Sequence, residues 1–199
     1  MTVGERTIEA FLESVASTAV TPSGGASAAL CGAFGAALGE MVCLHTVGKE
    51  GYEDVEDELT ELGEALTDRR RRLMELADED VAAVEQVQAV FDPAESASER
   101  ERQNAVTHAT ETPLEIAEVC LDVLDHLLVA VRTGNERAIA DGVVGAFLAH
   151  AALRASAATV RANLETLEDE TFVSETRSYV DELEATADEY DRQVSQIFE

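Results

Sequence analysis

Between residues 59 and 91 the apolar side chains Leu59, Leu62, Leu66, Leu73, Leu76, Val84, Val87 and Phe91 follow one another at three or four residues, or at sums of those steps. Side chains three or four apart share one face of an α-helix, whereas a strand turns every second residue to the same side. The spacing therefore predicts one long helix from about Glu53 to Phe91. No other segment alternates as a strand, so the fold class is all-α. With 199 residues, 46% of them hydrophobic, the chain can build a core, and residues 1–199 read as a single helical-bundle domain with long helices.

One position on that stripe is wrong for a core. The slot between Leu76 and Val84 falls on Asp80, and an unpaired charge is costly to bury. Asp80 must have a partner, or carry a raised pKa suited to proton transfer, or lie at the edge of the stripe and reach water. The sequence leaves all three open.

The other helices follow from the same period and its breakers. Ile8, Phe11, Leu12 and Val15 form an opening amphipathic helix that stops before "TPSGG". "ASAALCGAFGAALGEMVCLHTV", residues 26–47, is long enough to span a bilayer. It is rich in Gly and Ala, contains Glu40 and His45 and lacks a basic flank, so it reads as a buried central helix and no membrane is expected. After the interruption "FDPAESAS", the stretch "TPLE" at 112–115 predicts a helix start, with Thr112 as cap, Pro113 in the first turn and Glu115 closing a capping box. That helix should stop at Gly134 and Asn135. Another runs from about Glu136 to Leu164, and an acidic one with Phe172, Tyr179, Leu183, Tyr190 and Ile197 closes the chain. The small-residue helix and these apolar faces exceed what one small bundle covers, so a homodimer is expected.

Charge excludes some functions. With 41 acidic and 14 basic residues the formal net charge is −27, which repels nucleic acid and anionic lipid. The acidic excess and 5% aromatic content suit a halophilic, salt-rich cytoplasm, where carboxylates keep a hydrated surface. The acidic N-terminus lacks a signal-peptide pattern, which gives a cytoplasmic expectation. Cys31, Cys43 and Cys120 have no metal-ligand spacing and read as small apolar residues. The four histidines are scattered, so no metal site is assigned. Arg69 to Arg72 spread around the helix and read as a solvated face, one of them a candidate for an anionic ligand tail. Glu53-x-x-Glu56 with Glu75-x-x-Asp78 has the form of the magnesium site of all-α nucleotide pyrophosphohydrolases, but among so many carboxylates such a match arises by chance. A non-catalytic acidic adaptor is a third reading.

Lys49 is the sole lysine; every other basic residue is Arg. Arg replaces Lys wherever a fixed cation suffices, but its guanidinium does not release a proton near neutral pH and its planar fork needs more room. Retaining Lys at this one place points to a compact or proton-donating cation, unless it survives by chance at a helix end.

Several short stretches then fall into one order. "PSGGAS", Pro22 to Ser27, opens the small-residue helix; "GKEGY" follows it; "DVAAV" begins at Asp80; Arg102, Pro113, Gly134–Asn135, Asp141 and "TVRANL" come after. Together they resemble the cyclodeaminase/cyclohydrolase family of folate one-carbon metabolism, known as the C-terminal half of formiminotransferase-cyclodeaminase. Ala26, Val84 and Thr159 depart from the family pattern. The resemblance implies a helical, usually dimeric domain with a groove for a tetrahydrofolate derivative and no metal or redox cofactor. It implies Asp80 and Lys49 as catalytic residues, with Gly24, Gly25, Ser27, Tyr52, Arg102, Asn135, Asp141 and Asn163 binding the substrate. The activity implied is methenyltetrahydrofolate cyclohydrolase, which opens 5,10-methenyltetrahydrofolate to 10-formyltetrahydrofolate; formiminotetrahydrofolate cyclodeaminase is the alternative. A chain of this length has no room for a transferase domain, which favours the first. Asp80 and Lys49 are expected to line one groove.

Overall fold

The computed structural model describes residues 2–94 and 96–197 and contains six α-helices: α1 (Ile8–Val15), α2 (Gly24–Leu44), α3 (Glu56–Phe91), α4 (Glu99–Thr133), α5 (Ile139–Leu164) and α6 (Glu170–Ile197). Among the described residues there is no strand. The all-α expectation holds, and Glu95 of the interrupting "FDPAESAS" lies outside the described residues.

Helix α2 is the axis of the bundle. It runs antiparallel to α3, where Gly25, Gly32 and Gly39 face Asp80, Leu73 and Leu66 in turn. It runs parallel to α4, with Gly32 against Cys120 and Gly39 against Leu127, and antiparallel to α5, where Gly35 meets Gly145 and Ala149. Three of these glycines recur every seventh residue, so a groove without Cβ atoms runs down one side of α2. A Cβ on Gly32 would stand 2.6 Å from the Cys120 sulfur, and one on Gly39 2.8 Å from Leu66 Cδ1. Those distances are shorter than van der Waals contact, so the groove is what lets α3 and α4 press Leu66, Leu73, Cys120 and Leu127 into the interior, where all four are fully buried. Both α2 and α5 are long and apolar enough to cross a membrane, but half of each apolar stretch is buried inside the bundle.

One expectation from sequence needs correction here. The start predicted at Thr112 does not exist. α4 begins fourteen residues earlier, where Ser98 accepts from the Glu101 amide and the Glu101 carboxylate caps Ser98 in return. It then passes through Pro113 without a break. A proline in a helix leaves the carbonyl four residues back without its donor, and here that carbonyl, of Ala109, accepts a 2.7 Å bond from Asn163 Nδ2 on α5. The side chain of a neighbouring helix thus replaces the missing N–H. The opening amphipathic helix forms as expected as α1; of its apolar face Phe11 is buried, while Ile8, Leu12 and Val15 are exposed.

Candidate active site

Asp80 is the focus of the N-terminal end of α2. It is 3% exposed, which places it in the interior rather than at the edge of the stripe. Its Oδ2 accepts the Ala26 amide at 2.8 Å and the Ser23 hydroxyl at 3.2 Å. Ser23 stands at the N-cap position of α2 but makes no capping bond of its own; the cap comes from α3 through Asp80. Helix N-termini present free N–H groups and a positive dipole end, which stabilise a carboxylate there. Burial nonetheless dominates and lifts the Asp80 pKa above the ordinary aspartate value, with the Ala26 amide and the Ser23 hydroxyl pulling the other way. Among the described residues Oδ1 has no hydrogen-bond partner, and it occupies the space where a Gly25 Cβ would be. Gly25 is therefore a steric requirement of the carboxylate. Gly24 faces open space.

Other predicted site residues at this end have identifiable tasks. Ser27 Oγ donates to the Ser23 carbonyl, closing the first turn of α2. Asn163 spends its amide nitrogen on Ala109, and it lines a cleft of about 450 Å³ with Val87, Phe91, Gln103 and Val106. Val87 lies seven residues, about 10 Å, beyond Asp80 on the α3 stripe. Arg102 donates to the Val90 carbonyl and lies over the Phe91 ring, 5.6 Å from its centroid. Ser23 escaped the sequence reading, although its place before two glycines marks an N-cap.

The remaining residues gather at the far end of α2. Lys49 sits on a turn between Gly48 and Gly51, whose φ angles of 73° and 90° belong to the left-handed region that glycine enters readily. Its ammonium lies 5.5 Å from the centre of the Tyr52 ring, and the Tyr52 hydroxyl accepts the Glu136 amide. Asn135 is buried and ties the α4–α5 connection to the end of α2: its amide donates to Thr46 Oγ1, its Nδ2 to the His45 carbonyl, and its Oδ1 accepts the Arg137 amide. Asp141 is exposed in the first turn of α5.

Within one chain, then, the expected groove shared by Asp80 and Lys49 does not form. Asp80 binds Ala26 at the start of α2, and the Lys49 amide bonds to Thr46 just past its end. At 1.5 Å per residue, some 30 Å of helix separates the two places. Geometry also undoes the pyrophosphohydrolase pattern, because Glu56 and Glu75 stand about 28 Å apart along α3 and Asp78 accepts the Val3 amide. The four arginines are paired rather than free: Arg69 with Asp122, Arg70 with Glu40, Arg71 with Asp68, and Arg72 with Glu75, Glu79 and Glu115. Burial pushes the Cys43 thiol up to about 11 and the Cys120 thiol higher, so neither is a nucleophile near neutral pH.

An all-α bundle that buries a carboxylate against the glycine turn opening its central helix can be compared with known proteins. Residues 7–182 match the family model described as Formiminotransferase-cyclodeaminase, and the chain belongs to that family. It is 38% identical over 175 residues to the methenyltetrahydrofolate cyclohydrolase of Methylorubrum extorquens, covering 85% of this chain and 84% of that one. It is 30% identical to the formimidoyltransferase-cyclodeaminase of Gallus gallus, of which it spans 31%, while the match covers 82% of this chain. A solved structure of formiminotetrahydrofolate cyclodeaminase from Thermotoga maritima superposes with a TM-score of 0.93 at 33% identity, covering 98% of this chain and 96% of that one.

Proposed function

We propose that the chain is a methenyltetrahydrofolate cyclohydrolase, converting 5,10-methenyltetrahydrofolate and water to 10-formyltetrahydrofolate and a proton. The carrying observation is the Asp80 carboxylate: buried, oriented by two donors on Oδ2, and left with one uncommitted oxygen beside a glycine backbone. The 38% identity to a cyclohydrolase over most of both chains supports the same reading. The amidinium carbon of the substrate is already electrophilic. Water attacks it, the C–O bond forms, and Oδ1 of Asp80 takes the proton, giving a neutral carbinolamine. The hydroxyl proton then leaves as the carbonyl forms, the C–N5 bond breaks, and N5 receives a proton. The net product is one proton, and no cofactor enters the balance. The substrate approaches over Gly24, where the backbone is open, and Asn163, Arg102 and the adjacent cleft receive its more distant parts.

The cyclodeaminase reaction is the second reading, favoured by the Thermotoga maritima structure. There N10 attacks 5-formiminotetrahydrofolate, ammonia leaves, and the same carboxylate serves N10. One assay separates them. Purified protein in molar salt should bleach the near-ultraviolet absorbance of the methenyl compound faster than buffer; an unchanged decay together with rapid cyclisation of formimino-folate would select the deaminase. We further infer a cytoplasmic protein adapted to salt, acting as one domain over residues 1–199. Its net charge of −27 predicts that helical circular dichroism falls when molar salt is diluted to millimolar, and an unchanged spectrum would count against it.

A further inference from the structure

Thr46, just past the end of α2 and three residues before Lys49, is a polar side chain with no exposed surface. Its hydroxyl donates to the Val42 carbonyl at 2.7 Å and accepts the Asn135 amide at 2.8 Å. A hydroxyl has one hydrogen to give, and here it goes into α2 while the oxygen holds the α4–α5 connection. The Thr46 carbonyl accepts the Lys49 amide at 3.1 Å, and the Lys49 carbonyl accepts the Tyr52 amide at 3.1 Å. Asn135 adds a bond from Nδ2 to the His45 carbonyl at 3.0 Å, and Glu136 donates its amide to the Tyr52 hydroxyl at 3.3 Å. Gly134 lets the connection come this close, since a Cβ there would stand 2.6 Å from Val42 Cγ1. The connection thus holds the Lys49 turn at its entrance and at its exit, through bonds that span 84 to 90 positions of sequence.

These bonds fix the backbone and leave the ammonium available. It meets the Tyr52 ring, 5.5 Å from the centroid, and that ring is steadied in turn by the hydroxyl that takes the Glu136 amide. Two glycines in one short turn would otherwise allow it many backbone states. A reacting group misplaced by about 1 Å can cost about a hundredfold in rate, so a device that removes this freedom matters to chemistry as well as to folding. We propose that Thr46 and Asn135 are positioning residues for Lys49, acting through the backbone of the turn and through Tyr52 rather than by touching substrate. Both polar ends of the Asn135 side chain are already committed to backbone, Nδ2 to His45 and Oδ1 to the Arg137 amide, which makes its part in the site one of support. The role assigned to the turn rests on the reading that Lys49 serves the cyclohydrolase reaction; the bonds that hold it do not.

Because Lys49 is the sole lysine, protein grown on carbon-13 lysine gives a single ε-methylene resonance, and the Tyr52 ring should displace it upfield. Tyr52→Leu should return it to the position of lysine in an unfolded chain; no change there would overturn the ring contact. Thr46→Val keeps the volume but removes the hydroxyl that accepts the Asn135 amide. It should carry the resonance toward the unfolded position and lower kcat for methenyltetrahydrofolate by at least about tenfold, with KM within about twofold and helical circular dichroism unchanged. Thr46→Ser retains the hydroxyl and should hold both readouts near wild type. Tyr52→Phe keeps the ring on a half-buried side chain and removes only the bond to Glu136, so it should move both readouts the same way by less, and it carries the test if Thr46→Val loses helix. A wild-type resonance and kcat in Thr46→Val, or an equal loss in Thr46→Ser, would overturn the clamp. A displaced resonance with wild-type kcat would overturn its role in the reaction. Wild-type protein without turnover of methenyl-folate, beside the expected resonances, would instead remove only the cyclohydrolase reading.

Discussion

The two ends of α2 use the same residue types for opposite purposes. At the N-terminal end Gly25 is a steric necessity, because the Asp80 carboxylate fills the place of its missing side chain. At the C-terminal end Gly48 and Gly51 meet no neighbour, and they matter for their left-handed backbone, which shapes the turn around Lys49. One end is a buried, hydrogen-bonded charge in the interior; the other is a cation on a half-exposed turn, resting on an aromatic ring. A buried base held by its own fold needs no partner to be oriented. A lysine on a turn acquires its position from whatever it meets. The difference teaches that one candidate proton-transfer group can be oriented by packing in the interior while the other is carried on a turn that two left-handed glycines shape.

Substitutions at the two ends should therefore fail in different ways. The largest effect is expected at Gly25→Ala, where the added methyl collides with Asp80 Oδ1; overpacking of this kind costs about 1–3 kcal/mol, and the displaced carboxylate should take turnover with it. Gly24→Ala, one residue away in open space, should stay within about 0.5–1 kcal/mol in denaturant titration, the range of a helix-end glycine change. Equal losses at both would mean that the turn acts through flexibility rather than through room for the carboxylate. Lys49→Arg is next. It keeps the charge, should leave the unfolding midpoint in place, and should lose most of the activity, more than about 1.4 kcal/mol in the barrier, a tenfold rate. Near wild-type turnover would make Lys49 a simple cation.

A third comparison separates binding from support at Asn163. Removing its amide leaves the Ala109 carbonyl unpaired beside Pro113, at a cost of about 1–3 kcal/mol. Pro113→Ala restores the helical N–H, so it should recover part of that stability in the Asn163→Ala background, a coupling that a double-mutant cycle reads directly. Simple additivity would show that Asn163 does not compensate for the proline.

The same bond explains what was legible in the sequence and what was not. The α3 stripe revealed both the helix and the misfit Asp80, because a 3.6-residue period and a polar intruder are local patterns. Pro113 was read as a helix start, since proline ordinarily sits in a first turn; the donor that lets the helix pass through it comes from Asn163, fifty residues on, and no local pattern announces that. Spacing likewise placed Lys49 after α2 and Asp80 on α3. It could not say that α3 folds back antiparallel, so that the two lie at opposite ends of the same helix. The heptad of Gly25, Gly32 and Gly39 was present in the sequence as small-residue content, and only the partners facing it give it meaning. α1 was read as amphipathic, which it is, although Ile8, Leu12 and Val15 stay exposed and only Phe11 is buried.

The account stands or falls on Asp80 as the proton acceptor. Asp80→Asn keeps the volume and, through its carbonyl oxygen, an acceptor for Ala26 and Ser23, so the cap on α2 survives while the base is removed. Because burial raises the Asp80 pKa, the ionised base is lost on acidification at a pH above that of an ordinary aspartate, and the wild-type rate should fall there. Hydrolysis of methenyltetrahydrofolate by wild-type and Asp80→Asn protein in molar salt, followed across that acid limb, is the direct measurement. The account predicts at least about a hundredfold lower rate in the variant, with unchanged helical circular dichroism and no acid limb of its own. Wild-type turnover by Asp80→Asn, or the same acid limb in both proteins, would contradict it and leave Asp80 as no more than the cap of α2.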